Sequence, residues 1–238
     1  MTKKNLNVKI FADGAVLKDM MEAHSSTVIK GFTTNPSLMK KAGITSYEAF
    51  AREVLKNIKD QPISFEVFSD EFETMEKEAK KIASFGKNVY IKIPITNSRG
   101  ESSIPLVKKL SSQGLSLNVT AILTIKQVEE TVDAFTPDTT NIVSVFAGRM
   151  ADSGINPIPY MKQAAEICHT KKGTELLWAS SREVLNIFQA DECNCDIITV
   201  TNSILNKFEK VGRSLEDISL DTVKMFNNDI KSLGYSIL

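Results

Sequence analysis

The sequence predicts an α/β fold, a (β/α)8 TIM barrel formed by residues 1–238 as a single domain. Three observations carry that expectation. Eight strand-like runs recur with starts 21 to 33 residues apart. Most are apolar nearly throughout, as parallel strands buried on both faces should be. Polar segments with helical spacing lie between them, and no linker or low-complexity run breaks the alternation. An open doubly wound sheet is the rival, but it wants a glycine-rich phosphate loop after an early strand. Neither GxGxxG nor GxxxxGK[ST] occurs in the chain.

The runs can be taken in order. Residues 8–14 end on Asp13-Gly14, and residues 29–35 end on Thr33-Thr34-Asn35, with Pro36 next. Residues 62–68 carry Glu66. Residues 88–95 hold Lys92 between Ile91 and Ile93, and the helix expected before them, over 70–85, places Phe72, Met75, Ala79, Ile82 and Ala83 on one side. A helix over 101–114 stops at Gly114. Residues 116–123 contain Asn118 and Thr120, followed by a helix over 126–135. The sixth run, 141–148, contains Ser144 and Phe146, with Arg149 after it; a helix over 157–168 follows. Residues 174–181 lead into Ser180-Ser181-Arg182, and 196–202 form the eighth run. A helix at about 216–233 closes the chain.

Composition excludes several classes of function. Lys plus Arg and Asp plus Glu each total 29, so the formal net charge is zero. A general attraction to nucleic acid or an anionic membrane is not expected. No stretch approaches the roughly 18 continuous apolar residues of a membrane span. Lys3 and Lys4 precede an apolar stretch, 8–12, too short for a signal-peptide core. The expectation is a cytoplasmic protein. Three cysteines give no disulfide framework. Cys193-Asn194-Cys195 is read as small apolar residues rather than half a metal site, since His24 and His169 are the only histidines.

In a barrel, function gathers at the C-terminal ends of the strands. Each polar residue there has a plain explanation. Asp13 suits a turn, Asn35-Pro36 a helix start, and Thr120 a β-branched strand position. Arg149 and Arg182 suit a surface. Glu66 and Lys92 resist this, because both sit inside apolar strands; their plain reading is a buried ion pair. A buried lysine is costly, since desolvation disfavours its charged form. It is also the usual way to form a Schiff base with a carbonyl substrate. As a set, an acid, an amide, a carboxylate, a lysine and hydroxyls at successive strand ends equip a reactive mouth.

The same residues resemble the transaldolase family. Gly31-Phe32-Thr33-Thr34-Asn35-Pro36-Ser37-Leu38 is similar to its strand-two signature, and Lys92-Ile93-Pro94-Ile95-Thr96 to its lysine segment. Asn118-Val119-Thr120-Ala121 with Gln127, Ser144-Val145-Phe146-Ala147-Gly148-Arg149 and Ala179-Ser180-Ser181-Arg182 resemble three further segments. The similarity runs in order over nearly the whole chain, to the small single-barrel branch that also holds fructose 6-phosphate aldolases.

That resemblance implies a barrel of the class I aldolase type, sugar phosphate substrates, and no metal or cofactor. It implies Lys92 as the Schiff-base lysine, with Glu66 and Thr120 holding a catalytic water and Asp13 exchanging the substrate hydroxyl proton. Thr33, Asn35, Asn118, Ser144 and Phe146 fall at the sugar, and Arg149, Ser180 and Arg182 at the phosphate. Glu66, Ser144 and Phe146 stand where aldolase-type members tend to carry Gln, Ala and Tyr. Transaldolase is therefore preferred, over an aldolase releasing dihydroxyacetone and over a non-catalytic sugar-phosphate-binding barrel. The resemblance also implies a homo-oligomer, a pentamer or decamer, in which the C-terminal helix reaches a neighbour. The plain expectation for that helix is packing on its own barrel. Departures from the family pattern occur at Gly14, Val145, Ala147, the 97–103 loop, 133–140 and Asn156-Pro157, so the identity of the sugar phosphate is left open.

Overall fold

The computed structural model describes residues 6–208, 210–235 and 237; Lys3, Lys4 and Leu238 lie outside the described residues. The elements run β1 (Lys9–Asp13), α1 (Leu17–His24), β2 (Ile29–Thr33), α2 (Pro36–Lys41), α3 (Tyr47–Asn57), β3 (Ile63–Glu66), α4 (Phe72–Ala83) and β4 (Val89–Pro94). They continue with α5 (Ile104–Ser112), β5 (Leu117–Ile122), α6 (Ile125–Ala134), β6 (Asn141–Val145), α7 (Ala147–Asp152), α8 (Ile158–His169) and β7 (Thr174–Trp178). The chain ends with α9 (Leu185–Glu192), β8 (Ile197–Thr201), α10 (Asn202–Phe208) and α11 (Leu215–Ser232). The strands close into a barrel in sequence order, β8 returning to β1, with every neighbouring pair parallel. The predicted (β/α)8 barrel is the fold.

Strand alternation sorts the side chains. Outward residues such as Ile10, Ile91, Ile93, Val119 and Val143 join the large core beneath the helices. Inward residues Phe11, Ile142, Leu177, Ala179 and Ile197 form a separate cluster inside the barrel, with Tyr90 and Phe146 against it. Phe11 is 1% exposed, and burying its ring stabilises the fold by about 1.5 to 3 kcal/mol. The ring fits because its neighbour on β2 is Gly31, where a Cβ would lie 2.6 Å from it. Two residues further along the same strands, the inward positions turn polar: Asp13 follows Phe11, Lys92 follows Tyr90, Ser144 follows Ile142 and Thr199 follows Ile197. The barrel thus has an apolar floor and a polar mouth.

Local sequence explains several boundaries. Asn35 caps α2 by accepting the Leu38 N–H at 3.0 Å, and Pro36 starts the helix where no N–H is needed. Thr124 and Gln127 form a capping box on α6, so Gln127 serves the helix start rather than the strand before it. The helix expected over 101–114 is shorter, because Thr96 bridges Ser102 and Arg99 ties that loop to Glu71 at 2.7 and 3.1 Å.

All eight strands are also shorter than the expected runs, at their C-terminal ends most of all in the sixth and seventh. The sixth run ends at Val145, and Ala147–Asp152 is a helical turn. That turn sets Gly148 against the residues after β7: a Cβ there would fall 1.6 Å from the Ser180 carbonyl oxygen, an approach open to glycine alone. The seventh run ends at Trp178, and Asn202 opens α10 instead of closing β8. At the far end, α11 does not pack on its own barrel. Ser214 caps it through the Asp217 N–H at 3.1 Å, and none of its residues is buried.

Candidate active site

The polar mouth encloses a cavity of about 540 Å³. Lys92 lines it, 7% exposed. Its Nζ lies 3.2 Å from Glu66 Oε2 and donates to the Thr34 carbonyl at 3.2 Å. The register produces this pair directly, since Glu66 and Lys92 are partners across β3 and β4. The ion pair anticipated as the plain reading is therefore real. It does not empty the site of chemistry, because the pair lies in the wall of the cavity with Asp13 and Thr120.

Asp13, ending β1, accepts the Thr33 hydroxyl on Oδ1 at 2.7 Å. Burial pushes its carboxyl above the usual range, while the charge of Lys92 and the Thr33 hydrogen bond pull it down. Thr120 is 2% exposed, and its hydroxyl has no protein partner. A buried hydroxyl left unmatched costs about 1 to 3 kcal/mol, and of the buried unmatched side-chain atoms among the described residues the Thr120 hydroxyl is the one on a residue that lines this cavity. The residue after it, Ala121, has φ +62°, and the β5–β6 ladder is irregular between Val119 and Ile122. This irregularity brings Thr120 and Ala121, neighbours in sequence, both to the cavity wall.

On the far wall, Phe146 precedes α7 and lies under Arg149, whose guanidinium carbon is 5.4 Å from the ring centroid. Arg182 Nε reaches both carboxylate oxygens of Asp152 at 3.0 and 3.1 Å, and its Nη2 also contacts Asp152 Oδ2. Ser180 adopts φ +65° where its carbonyl meets Gly148. These groups share the cavity with Lys92. Two predicted residues sit differently. Asn35 reaches the cavity wall while capping α2. Asn118 is fully buried below the cavity; it donates to Ser64 Oγ at 2.9 Å and accepts from Ser144 Oγ at 2.6 Å. It braces Ser144, which does face the cavity.

Sequence reasoning missed Thr199, Thr201, Ser64 and Asp152. In β8 the signal was present: Thr199 and Thr201 alternate with Ile198 and Val200 in a strand otherwise fully apolar. Asp152 carried no such signal, because its partner lies 30 residues away across two strand ends. The three cysteines are free and buried, and burial pushes the Cys168 and Cys195 thiols up. Among the described residues no helix is long and apolar enough to cross a membrane.

A closed parallel barrel whose mouth holds a buried lysine, two carboxylates and paired arginines is a barrel of the class I aldolase type. The profile of the transaldolase/fructose-6-phosphate aldolase family matches residues 10–237, and the chain belongs to that family. Relatives agree. A probable transaldolase of Caldicellulosiruptor saccharolyticus is 35% identical over 216 residues, covering 90% of this chain and 94% of that protein. One of a Thermoanaerobacter species is 33% identical over 97% of this chain and all of its own length. Another, from Clostridioides difficile, is 33% identical over 90% of this chain and 94% of its own. The chain is thus similar throughout to enzymes of the transaldolase and aldolase type.

Proposed function

We propose that this enzyme is a transaldolase that carries a dihydroxyacetone unit on Lys92. The observation that carries the reading is Lys92 itself, buried beside Glu66 in the wall of a cavity that also holds Asp13, Thr120 and two arginines. Glu66 takes a proton from the lysine, and the free amine attacks the ketone of a ketose phosphate. Glu66 and the unpartnered Thr120 hydroxyl hold the water that leaves as the carbinolamine becomes an iminium. Asp13 removes the proton of the C4 hydroxyl; that O–H pair forms the aldehyde, the C3–C4 bond breaks, and its electrons flow into the iminium to give an enamine. The iminium is the electron sink, so the chemistry calls for no metal and no organic cofactor.

Arg149, Ser180 and Arg182 hold the phosphate, and Asn35 and Ser144, braced by Asn118, hold the dihydroxyacetone hydroxyls. Phe146 favours transfer over release. A phenyl ring has no proton to give the enamine, so the intermediate waits for an aldose phosphate. Sedoheptulose 7-phosphate or fructose 6-phosphate as donor, and glyceraldehyde 3-phosphate or erythrose 4-phosphate as acceptor, follow from this reading, as does a cytoplasmic role in the pentose phosphate pathway. The exposed apolar residues of α11 support assembly into a homo-oligomer.

The deciding measurement is intact mass after incubation with fructose 6-phosphate and borohydride. The wild type should gain one reduced dihydroxyacetone unit and Lys92→Ala none, with turnover lower by at least about 10⁴-fold. Labelling of both proteins, or of neither across a range of ketose phosphates, contradicts the assignment. Free dihydroxyacetone released without an acceptor aldehyde would instead make the enzyme an aldolase.

A further inference from the structure

We propose that Thr199, on β8, is a positioning residue that aims Asp13 for proton transfer, acting through Thr33. The inference rests on the aldol reading above. The Thr33 hydroxyl lies 2.7 Å from Asp13 Oδ1 and 2.5 Å from the Thr199 hydroxyl. Each hydroxyl has one proton to give, and an ionised carboxylate only accepts. Thr33 therefore donates to Asp13, has no proton left for Thr199, and must accept from it. The order Thr199 to Thr33 to Asp13 is fixed by counting protons. Each donor in such a chain polarises the next, so Thr33 binds the carboxylate more firmly than it would alone.

The three residues stand on β8, β1 and β2, adjacent strands at the seam where the barrel closes. Thr199 is 7% exposed, and its carbonyl accepts from Ser181 Oγ at 2.9 Å, so backbone and side chain are both held. The chain also chooses an oxygen. Thr33 occupies Oδ1, and among the described residues no hydrogen bond reaches Oδ2. The proton that leaves the substrate C4 hydroxyl therefore arrives on Oδ2, while its O–H electrons form the aldehyde and the C3–C4 pair enters the iminium. The reverse transfer uses the same oxygen to protonate the new alkoxide.

Several charged groups share this space. Lys92 on β4 acts on Asp13 through its charge, and Glu66 on β3 is paired to Lys92. Asp19 on α1 and Lys41 on α2 line an adjoining cavity of about 350 Å³ that reaches Asp13 from the other side. Thr33 is the one described hydrogen-bond donor to the carboxylate, which is why its own anchor matters.

The experiment compares wild type, Thr199→Val and Thr199→Ser. Valine keeps the β-branched shape and removes the donor; serine keeps the donor. Thr199→Val should lower kcat about tenfold with KM within about twofold. The acid limb of its kcat/KM profile should move up by about half a pH unit, because a weaker donor leaves Asp13 easier to protonate. Thr199→Ser should restore both, and borohydride should trap the adduct on all three proteins. An unmoved limb in a Thr199→Val enzyme that still traps the adduct overturns the role of Thr199 alone. Equal losses in valine and serine variants, with a lowered melting temperature, overturn it in favour of plain packing. A wild type that traps nothing removes the aldol reading, and this inference with it.

Discussion

The barrel mouth and the C-terminal helix break the same rule in opposite directions. In the mouth, groups that prefer water are withdrawn from it: Lys92 is 7% exposed and Thr120 is 2%. On α11, groups that avoid water are left in it, with Phe226 55% and Ile230 60% exposed. Stability alone predicts neither. The mouth is tolerated because most of its polar atoms find partners inside the chain, Lys92 in Glu66 and Thr34, Thr33 in Asp13 and Thr199. The apolar residues of α11 find no burial among the described residues. Under the proposed function, a small molecule completes the first region and a second copy of the chain covers the other.

The comparison can be tested by making each region obey the rule. In the mouth, Thr120→Val removes a buried hydroxyl that has no protein partner. Urea unfolding should show a gain of about 1 kcal/mol, while kcat falls about 100-fold. A loss of stability, or unchanged turnover, would show that the hydroxyl is satisfied in some other way. On α11, the double variant Phe226→Asp and Ile230→Asp makes an exposed face polar. Light scattering should report the 26.3 kDa monomer in place of a larger assembly, with the barrel still folded by circular dichroism. A wild type already at the monomer mass would refute the assembly. The smallest effect is expected at Ala121, whose φ of +62° carries strain beside Thr120. Ala121→Gly should relieve it and, after the added freedom of the unfolded chain is counted, raise stability by about 0.5 kcal/mol in the same urea titration; a loss would show that the backbone there is unstrained.

What the sequence reveals follows from how far each determinant reaches. Strands announce themselves locally, so all eight appear within a few residues of their runs. Glu66 and Lys92 stand out because each interrupts an apolar run, and the pairing of β3 with β4 makes them neighbours. Thr199 shows in the sequence as a polar residue in an apolar strand, but its pairing with Thr33 does not, because β1 and β2 lie at the opposite end of the chain and come to β8 only when the barrel closes. The end of β6 is hidden for a similar reason. Val145-Phe146-Ala147 reads as more strand, and the helical turn that replaces it sets Gly148 against the distant Ser180 carbonyl. Asp152 looks like an ordinary surface acid until α7 sets it against Arg182. Features written in one segment are legible; features written in the meeting of two segments are not.

The Phe11 ring, seated over Gly31, has a consequence for traffic. With Ile142, Leu177 and Ile197 around it, it stoppers the barrel from below. The main cavity is therefore closed from the lower end of the barrel and opens at the mouth. Under the proposed function, a ketose bound in the cavity blocks entry to a second sugar until its aldehyde fragment has departed. Under the proposed reaction, the two substrates take turns rather than meet. Double-reciprocal plots at several acceptor concentrations should then be parallel lines, the enamine on Lys92 separating the two half-reactions while the Phe11 ring closes the bottom of the well.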